Sequence, residues 1–138
     1  MLAVRWHGRG DVRVEEVPAP APPGPGEVQL QVRWCGICGT DLEEWLSGPV
    51  FIPAAAPHPV TGARAPLVLG HEFAGVVVAA GADVTGPWPG QRVAVDTIVS
   101  CGTCYWCQRG EVTRCAELGA LGLHGDGLAA CLPDAVDD

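Results

Sequence analysis

Four cysteines within fifteen residues restrict the folds open to this chain more than any other feature of its sequence. In the stretch "CGTCYWCQRGEVTRC", two successive Cys-x-x-Cys spacers direct three sulfurs toward one point, and a longer excursion lets the fourth complete a tetrahedron. Four thiolates leave no open coordination position, which is typical of a structural zinc ion. The predicted ligands of this zinc are Cys101, Cys104, Cys107 and Cys115.

An iron–sulfur cluster is the main alternative for these cysteines. Bacterial ferredoxins also use two x-x spacers in a row, but their fourth cysteine follows an x-x-x spacer and precedes proline. Here Cys115 follows a longer spacer and precedes Ala116. Accidental crowding of buried thiols is a further alternative, which the rarity of cysteine disfavours. Zinc is therefore the metal that we expect.

Charge and apolar runs exclude several classes of partner. The formal net charge is −8, and only eight Lys and Arg residues are scattered along the chain, so we expect no nucleic-acid partner. The longest apolar run, residues 73–82, is shorter than the about 20 residues of a membrane-spanning helix, so we expect no membrane partner. The N-terminus lacks a secretory signal, and an odd count of seven cysteines favours metal over disulfides. These features predict a cytoplasmic protein.

Alternation of apolar and polar residues predicts several strands. In "EVQLQVRW", the four apolar side chains from Val28 to Trp34 fall on one face, which predicts a half-buried strand. "DVRVEEV" and "QRVAVDTIV" show the same alternation. "FAGVVVAA" is continuously apolar, which suits a strand buried on both sides, although periodicity alone leaves a buried helix open.

Turn-forming residues separate these strands. Pro-Gly pairs in residues 18–27 and 86–91 favour tight turns, and the Pro-rich insert 47–66 predicts a surface loop. Only "DLEEWL", residues 41–46, predicts a helical turn. The expected class is therefore mainly β, a barrel or sandwich with short helices.

A second group of residues combines a thiolate, an imidazole and a carboxylate. Cys38, His71 and Glu72 suit a catalytic zinc with an open coordination position, although a His-Glu pair beside a strand is often an ordinary satisfied pair.

Cys35 and Cys38 also form a Cys-x-x-Cys pair. A thioredoxin-like redox pair should lie in a βαβ unit, and the predicted strands contain none.

In order and spacing, the motifs "CGICGTD", "GHEFAG", "RVAVD" and the four-cysteine stretch resemble the N-terminal catalytic domain of zinc-dependent medium-chain alcohol dehydrogenases. The loop "GPVFIPAAAPHPVTG" looks most like that of the butanediol and polyol (sorbitol-like) branch. The resemblance covers residues 1 to about 127 and implies a GroES-like β-barrel with a four-cysteine zinc lobe at 101–115. We expect one domain over residues 1–138, with 128–138 as an atypical tail.

The resemblance also implies roles for individual residues. Cys38 and His71 match ligands of the catalytic zinc, and Glu72 matches a catalytic carboxylate that binds this zinc directly or through water. Thr40 matches the hydroxyl that bonds the substrate alcohol and starts its proton relay. Asp41 would orient the zinc-bound histidine.

Two positions, Glu43 and Trp45, stay open under this resemblance. Glu43 stands where many relatives have histidine, and it is either a proton relay or a solvated helix residue. Trp45 lines a substrate pocket or belongs to the core, and Cys35 and Cys131 are expected to be spectator thiols. The remaining histidines are expected on the surface: His7, His58 and His124.

The implied reaction is oxidation of a secondary alcohol or diol to a ketone, with zinc stabilising the alkoxide and NAD(P) accepting hydride. The chain shows no Gly-rich Rossmann fingerprint, so we expect cofactor binding outside it and no activity of the isolated chain. The expected partner is a small alcohol or diol, and the family is compatible with a homo-oligomer. The alternative function is a non-catalytic, zinc-stabilised module that binds a partner chain.

Overall fold

A computed structural model describes residues 1–127 and 135–137, with only the backbone described for the second range. The chain forms nine strands and one α-helix over these residues. In chain order they are β1 (Leu2–Gly8), β2 (Asp11–Glu16), β3 (Val28–Cys35), α1 (Gly39–Ser47), β4 (Leu67–Val68), β5 (Phe73–Ala80), β6 (Arg92–Val95), β7 (Ile98–Val99), β8 (Gly119–Ala120) and β9 (Ala135–Asp137). Two short 3-10 helices follow β7, at Cys107–Arg109 and Val112–Arg114.

The strands form three sheets, which confirms the mainly β class. Their orders are β2-β1-β4, β3-β5-β6-β9 and β7-β8. The antiparallel pairing of β3 with β5 is the longest, running from Val28 opposite Ala80 to Cys35 opposite Phe73. This pairing brings the end of β3 beside the start of β5, where two predicted site segments lie.

Two apolar clusters form the core. Val28, Val77, Val93 and Leu121 pack inside the sheet that contains β3 and β5. Trp6, Ile52, Leu67 and Leu123 form the second cluster, beside β1. Burying each such side chain contributes about 1.5–3 kcal/mol. Because Leu121 and Leu123 enter different clusters, the segment after β8 joins the two halves of the core.

The predicted inward face of β3 is only partly correct. Val28 is buried, but Val32 is 37% exposed and Trp34 is 78% exposed. The pairing of β3 with β5 shifts register between Gln29 and Leu30 and again between Val32 and Trp34. Each irregularity breaks the period-2 alternation, so the sequence pattern does not continue onto one face.

β5 is a strand, as predicted, but it is not buried on both sides. Phe73 and Val77 are buried, whereas Val78 is 48% exposed. The alternate residues Ala74 and Val76 are half-buried, so the second face of β5 is only partly covered. None of the helices in the described residues is long and apolar enough to cross a membrane.

The insert after α1 contains no helix or strand among its described residues, as predicted, but it is not confined to the surface. Ile52 and His58 are buried. His58 packs edge-on against His124 with the ring centroids 4.7 Å apart, and Thr61 N–H donates to His58 Nδ1. The expectation that His58 is a surface residue is therefore wrong, and His124 is half-buried, because these rings join the insert to the segment after β8.

The predicted tail differs from its expectation in one respect. No strand was expected there, yet residues 135–137 form β9, which pairs antiparallel with β6. Cys131 lies outside the described residues.

Candidate metal centres

The four predicted structural cysteines converge. Their four sulfur atoms all lie within 4.8 Å of one another; the residues are Cys101, Cys104, Cys107 and Cys115. The sulfur of Cys107 is 3.9 Å from that of Cys101 and 3.5 Å from that of Cys104. Tetrahedral Zn²⁺ with bonds of about 2.3 Å would place its sulfurs about 3.8 Å apart. The donor set and its spacing therefore fit a closed zinc site.

Local backbone structure builds this four-cysteine site. The first 3-10 helix begins at Cys107 and ends before Gly110, whose φ of 77° lies in the left-handed region that favours glycine. Backbone N–H groups of Cys104 and Glu117 donate to the sulfurs of Cys101 and Cys115. Hydrogen bonds from Thr103 and then Cys104 lower the pKa of Cys101 to about 6. These donors stabilise the thiolate of Cys101, the form that binds a metal.

A second candidate centre lies where β3 ends and β5 begins. Cys38 directly precedes α1, and His71 and Glu72 directly precede β5. One ligand atom from each of these three side chains lies within 4.8 Å of the other two. The mixed thiolate, imidazole and carboxylate set matches zinc sites that keep an open position.

Asp41 connects the two halves of this centre. One carboxylate oxygen accepts a hydrogen bond from Cys38 N–H at 2.9 Å, and the other lies 3.6 Å from His71 Nδ1. The Asp41 Oδ1 and His71 Nδ1 atoms are buried and have no hydrogen-bond partner within the usual limits. An imidazole that turns Nδ1 toward a carboxylate leaves Nε2 free for a metal. The buried pair thus fits a metal on the opposite ring nitrogen.

The other predicted site residues occupy different positions. The Thr40 hydroxyl lies 3.6 Å from the sulfur of Cys38, beside the cluster. Glu72 is exposed and open to solvent. Glu43 is exposed on α1 and is not among the converging ligand atoms. The structure therefore places Thr40 beside the candidate metal centre, whereas Glu43 faces solvent.

Cys35 does not have the properties of a redox thiol. Its sulfur would lie 2.7 Å from a Cβ added to Gly70, so it packs against the chain just before His71. The residue is exposed overall, but its thiol is partly buried. This burial, and to a smaller extent the nearby charge of Asp41, raises the pKa of the Cys35 thiol. Reactive cysteines need a lowered pKa, so this environment disfavours the redox-pair interpretation.

Two buried residues near the centre were missed from the sequence. Thr97 donates its hydroxyl proton to the backbone oxygen of His71 at 3.0 Å. Nothing in the sequence signals this contact, because it joins segments distant in the chain. Glu44 is completely buried. Its spacing of four residues from Thr40, which places both on one side of a helix, was the available signal.

An apolar cavity of about 540 Å³ lies beside α1. Asp41, Leu42 and Trp45 form its helical wall, and β1 and β4 contribute to the opposite wall. Trp45 is 47% exposed and therefore lines a cavity and does not fill the core.

The sequence pattern of the family described as "Alcohol dehydrogenase GroES-like domain" matches residues 24–132, most of the chain. This chain belongs to the GroES-like alcohol dehydrogenase family. The resemblance inferred from its motifs and the GroES-like fold are thereby confirmed, and this family is zinc-dependent.

Individual relatives are dehydrogenases. The (R,R)-butanediol dehydrogenase of Bacillus subtilis is 43% identical over 127 residues, covering 92% of this chain and 35% of that protein. The crystal structure of 2R,3R-butanediol dehydrogenase from B. subtilis matches with a TM-score of 0.82 over 90% of this chain and 34% of that one. An Escherichia coli CFT073 alcohol dehydrogenase, solved with NADH, is 35% identical with a TM-score of 0.73, covering 91% of this chain and 33% of that one. The chain thus spans about a third of the length of the relatives it matches.

Proposed function

We propose that residues 1–138 form the metal-binding catalytic domain of an NAD(P)-dependent alcohol or polyol dehydrogenase that oxidises a secondary alcohol, such as a 2,3-diol, to a ketone. The observation that carries this proposal is the convergence of Cys38, His71 and Glu72 beside a separate, closed four-cysteine site. A binding module would need only the closed site for stability. The similarity to butanediol dehydrogenases supports the choice of substrate class.

In this proposal Cys38, His71 and Glu72 hold the catalytic metal, and the four cysteines of 101–115 hold the structural one. Zinc bound at the first site supplies Lewis acidity, which lowers the pKa of an alcohol toward neutrality. Asp41 keeps the His71 ring in the tautomer that presents Nε2 to the metal. The ring therefore needs no rearrangement before it binds.

Proton transfer falls to Thr40. Its hydroxyl, 3.6 Å from the sulfur of Cys38, can accept the proton of a substrate hydroxyl and donate its own. Glu43, one turn along the exposed side of α1, would pass that proton to solvent. Burial of Asp41 and His71 keeps water away from the side of the ring opposite the substrate.

The first experiment measures the number of zinc ions that the chain binds. The intact chain should bind two equivalents of Zn²⁺, and Cys38→Ser should bind one, because the four-cysteine site does not involve Cys38. A chain that binds one equivalent in both forms would refute the two-site proposal.

The second experiment separates a catalytic domain from a binding module. Co²⁺ replaces Zn²⁺ at the Cys38 site and has a visible spectrum that depends on its ligands. Adding butane-2,3-diol should change this spectrum, because a catalytic site keeps an exchangeable position. An unchanged spectrum at saturating diol would favour the non-catalytic module. NAD(P)-linked oxidation of the same diol by this chain would exclude the module outright.

A further inference from the structure

Glu44 is a buried carboxylate outside both metal-ligand sets. Its side chain is 0% exposed. No salt bridge within the described residues includes it, so its partners are hydrogen-bond donors. The backbone N–H groups of Val50, Phe51 and Ile52 all donate to its Oε1 atom. The N···O distances are 3.1 Å for Val50 and 3.0 Å for Ile52. A buried carboxyl group is stable only where donors such as these satisfy its oxygen atoms.

The backbone of Glu44 makes a second set of contacts. Its carbonyl oxygen accepts from the buried Trp6 indole at 3.1 Å and from Gly48 N–H at 3.0 Å. A Cβ on Gly48 would lie 2.3 Å from that oxygen and 2.5 Å from the Glu44 carboxylate, so only glycine fits there. Glu44 therefore joins the last turn of α1 to β1 and to the loop that follows the helix.

The opposite side of α1 offers little to hold the helix in place. Leu42 and Trp45 line the cavity of about 540 Å³ and are 54% and 47% exposed. A helix side that faces an open cavity makes few close contacts and so does not fix the helix position. One backbone hydrogen bond, from Gly10 N–H to the Trp45 carbonyl oxygen at 2.8 Å, also holds α1, and the buried contacts of Glu44 add the larger set of constraints.

We propose that Glu44 is a positioning residue that holds α1, and with it Cys38 and Thr40, where the catalytic metal site requires them. Cys38 is the residue directly before the helix, and Thr40 lies one turn before Glu44 on the same side. A shift of α1 would move the thiolate relative to His71 and Glu72, which β5 holds independently. This inference rests on the proposed function of the Cys38 site.

The test is Co²⁺ titration of the intact chain after one equivalent of Zn²⁺ has filled the four-cysteine site. The variants are Glu44→Ala, Glu44→Gln and the control Glu15→Ala, which removes a carboxylate whose ion-pair partners Arg5 and His7 lie on β1. Glu44→Ala should weaken Co²⁺ binding at the Cys38 site about tenfold or more, the usual effect of removing an outer support of a metal ligand. Glu44→Gln should lose less, because its amide oxygen still accepts the three N–H groups. Glu15→Ala should stay within about twofold of wild type.

Affinity of the four-cysteine site for Zn²⁺ is the second readout, because a merely structural loss would weaken both sites together. A folded Glu44→Ala protein that binds Co²⁺ as tightly as Glu15→Ala, or loses affinity equally at both sites, overturns the inference. If Glu44→Ala does not fold, Glu44→Gln decides: about threefold weaker binding supports the inference, and unchanged binding overturns it. If the wild-type chain takes up no Co²⁺ beyond the four-cysteine site, the proposed function fails first, and the inference fails with it.

Discussion

Replacing Gly122 with alanine should destabilise the fold strongly, because this glycine lies directly against the backbone of Gly70. A Cβ at Gly122 would lie 1.9 Å from the Gly70 carbonyl oxygen and 2.3 Å from its carbonyl carbon. The backbone atoms of Gly70 cannot rotate away as a side chain can, so the two segments must separate by more than about 1 Å. Overpacking of this kind costs about 1–3 kcal/mol. The φ of 85° adds about 1 kcal/mol for any L side chain.

We therefore expect Gly122→Ala to lower the free energy of unfolding by about 2–4 kcal/mol, a large share of the about 5–15 kcal/mol typical of a domain. Gly62→Ala is the matched control, because its φ is 69° and no atom lies within 4 Å of the added Cβ. Gly62→Ala should lower the free energy of unfolding by only about 1 kcal/mol, the cost of placing an L side chain at a positive φ. Urea unfolding of the zinc-loaded chain measures both values. Equal losses in the two variants would refute the reasoning.

Three further predictions follow from contacts described above. Trp6→Phe should lower the free energy of unfolding by about 1–3 kcal/mol in urea titrations, because it leaves a buried carbonyl lone pair of Glu44 without its donor; a neutral result would contradict this. Chelating zinc should speed trypsin cleavage at Arg109 in the four-cysteine lobe, and equal cleavage rates with and without chelator would show that the lobe is stable without metal. Burial and, to a smaller extent, the neighbouring His58 lower the pKa of His124 in the folded chain. As the pH falls, His124 is therefore protonated at a higher pH in the unfolded chain than in the folded one. The free energy of unfolding should fall as the pH drops below about 6.5. His124→Asn, whose amide oxygen can still accept from Ala120 N–H, should flatten that fall in urea midpoints measured against pH.

Local patterns allowed much of the fold to be predicted from sequence. The four-cysteine site depends on short spacers, and its geometry follows from residues within one loop. The helix over α1 and the strand at β5 also follow from local signals. Trp34 was misplaced because the irregular pairing of β3 with β5 depends on both strands, and one sequence pattern cannot show it.

The second centre shows the limit of such reasoning more clearly. From the residues alone, the roles of Cys38 and His71 stay ambiguous, because only tertiary pairing brings them together; the family resemblance predicts both as zinc ligands. Glu43 and Glu44 are adjacent and chemically identical, yet one is exposed and the other is fully buried. The difference depends on which side of α1 meets Trp6, a contact that neither glutamate signals by itself.

The pairing of β3 with β5 should also separate the two proposed metal sites in folding time. The four-cysteine site closes a loop of fifteen residues, so its ligands can meet early at small entropic cost. Cys38 and His71 are separated by more than thirty residues, and they meet only after the two strands have found their register. We therefore expect metal binding in the four-cysteine lobe to report local ordering, and metal binding at the Cys38 site to report that the long-range sheet has formed.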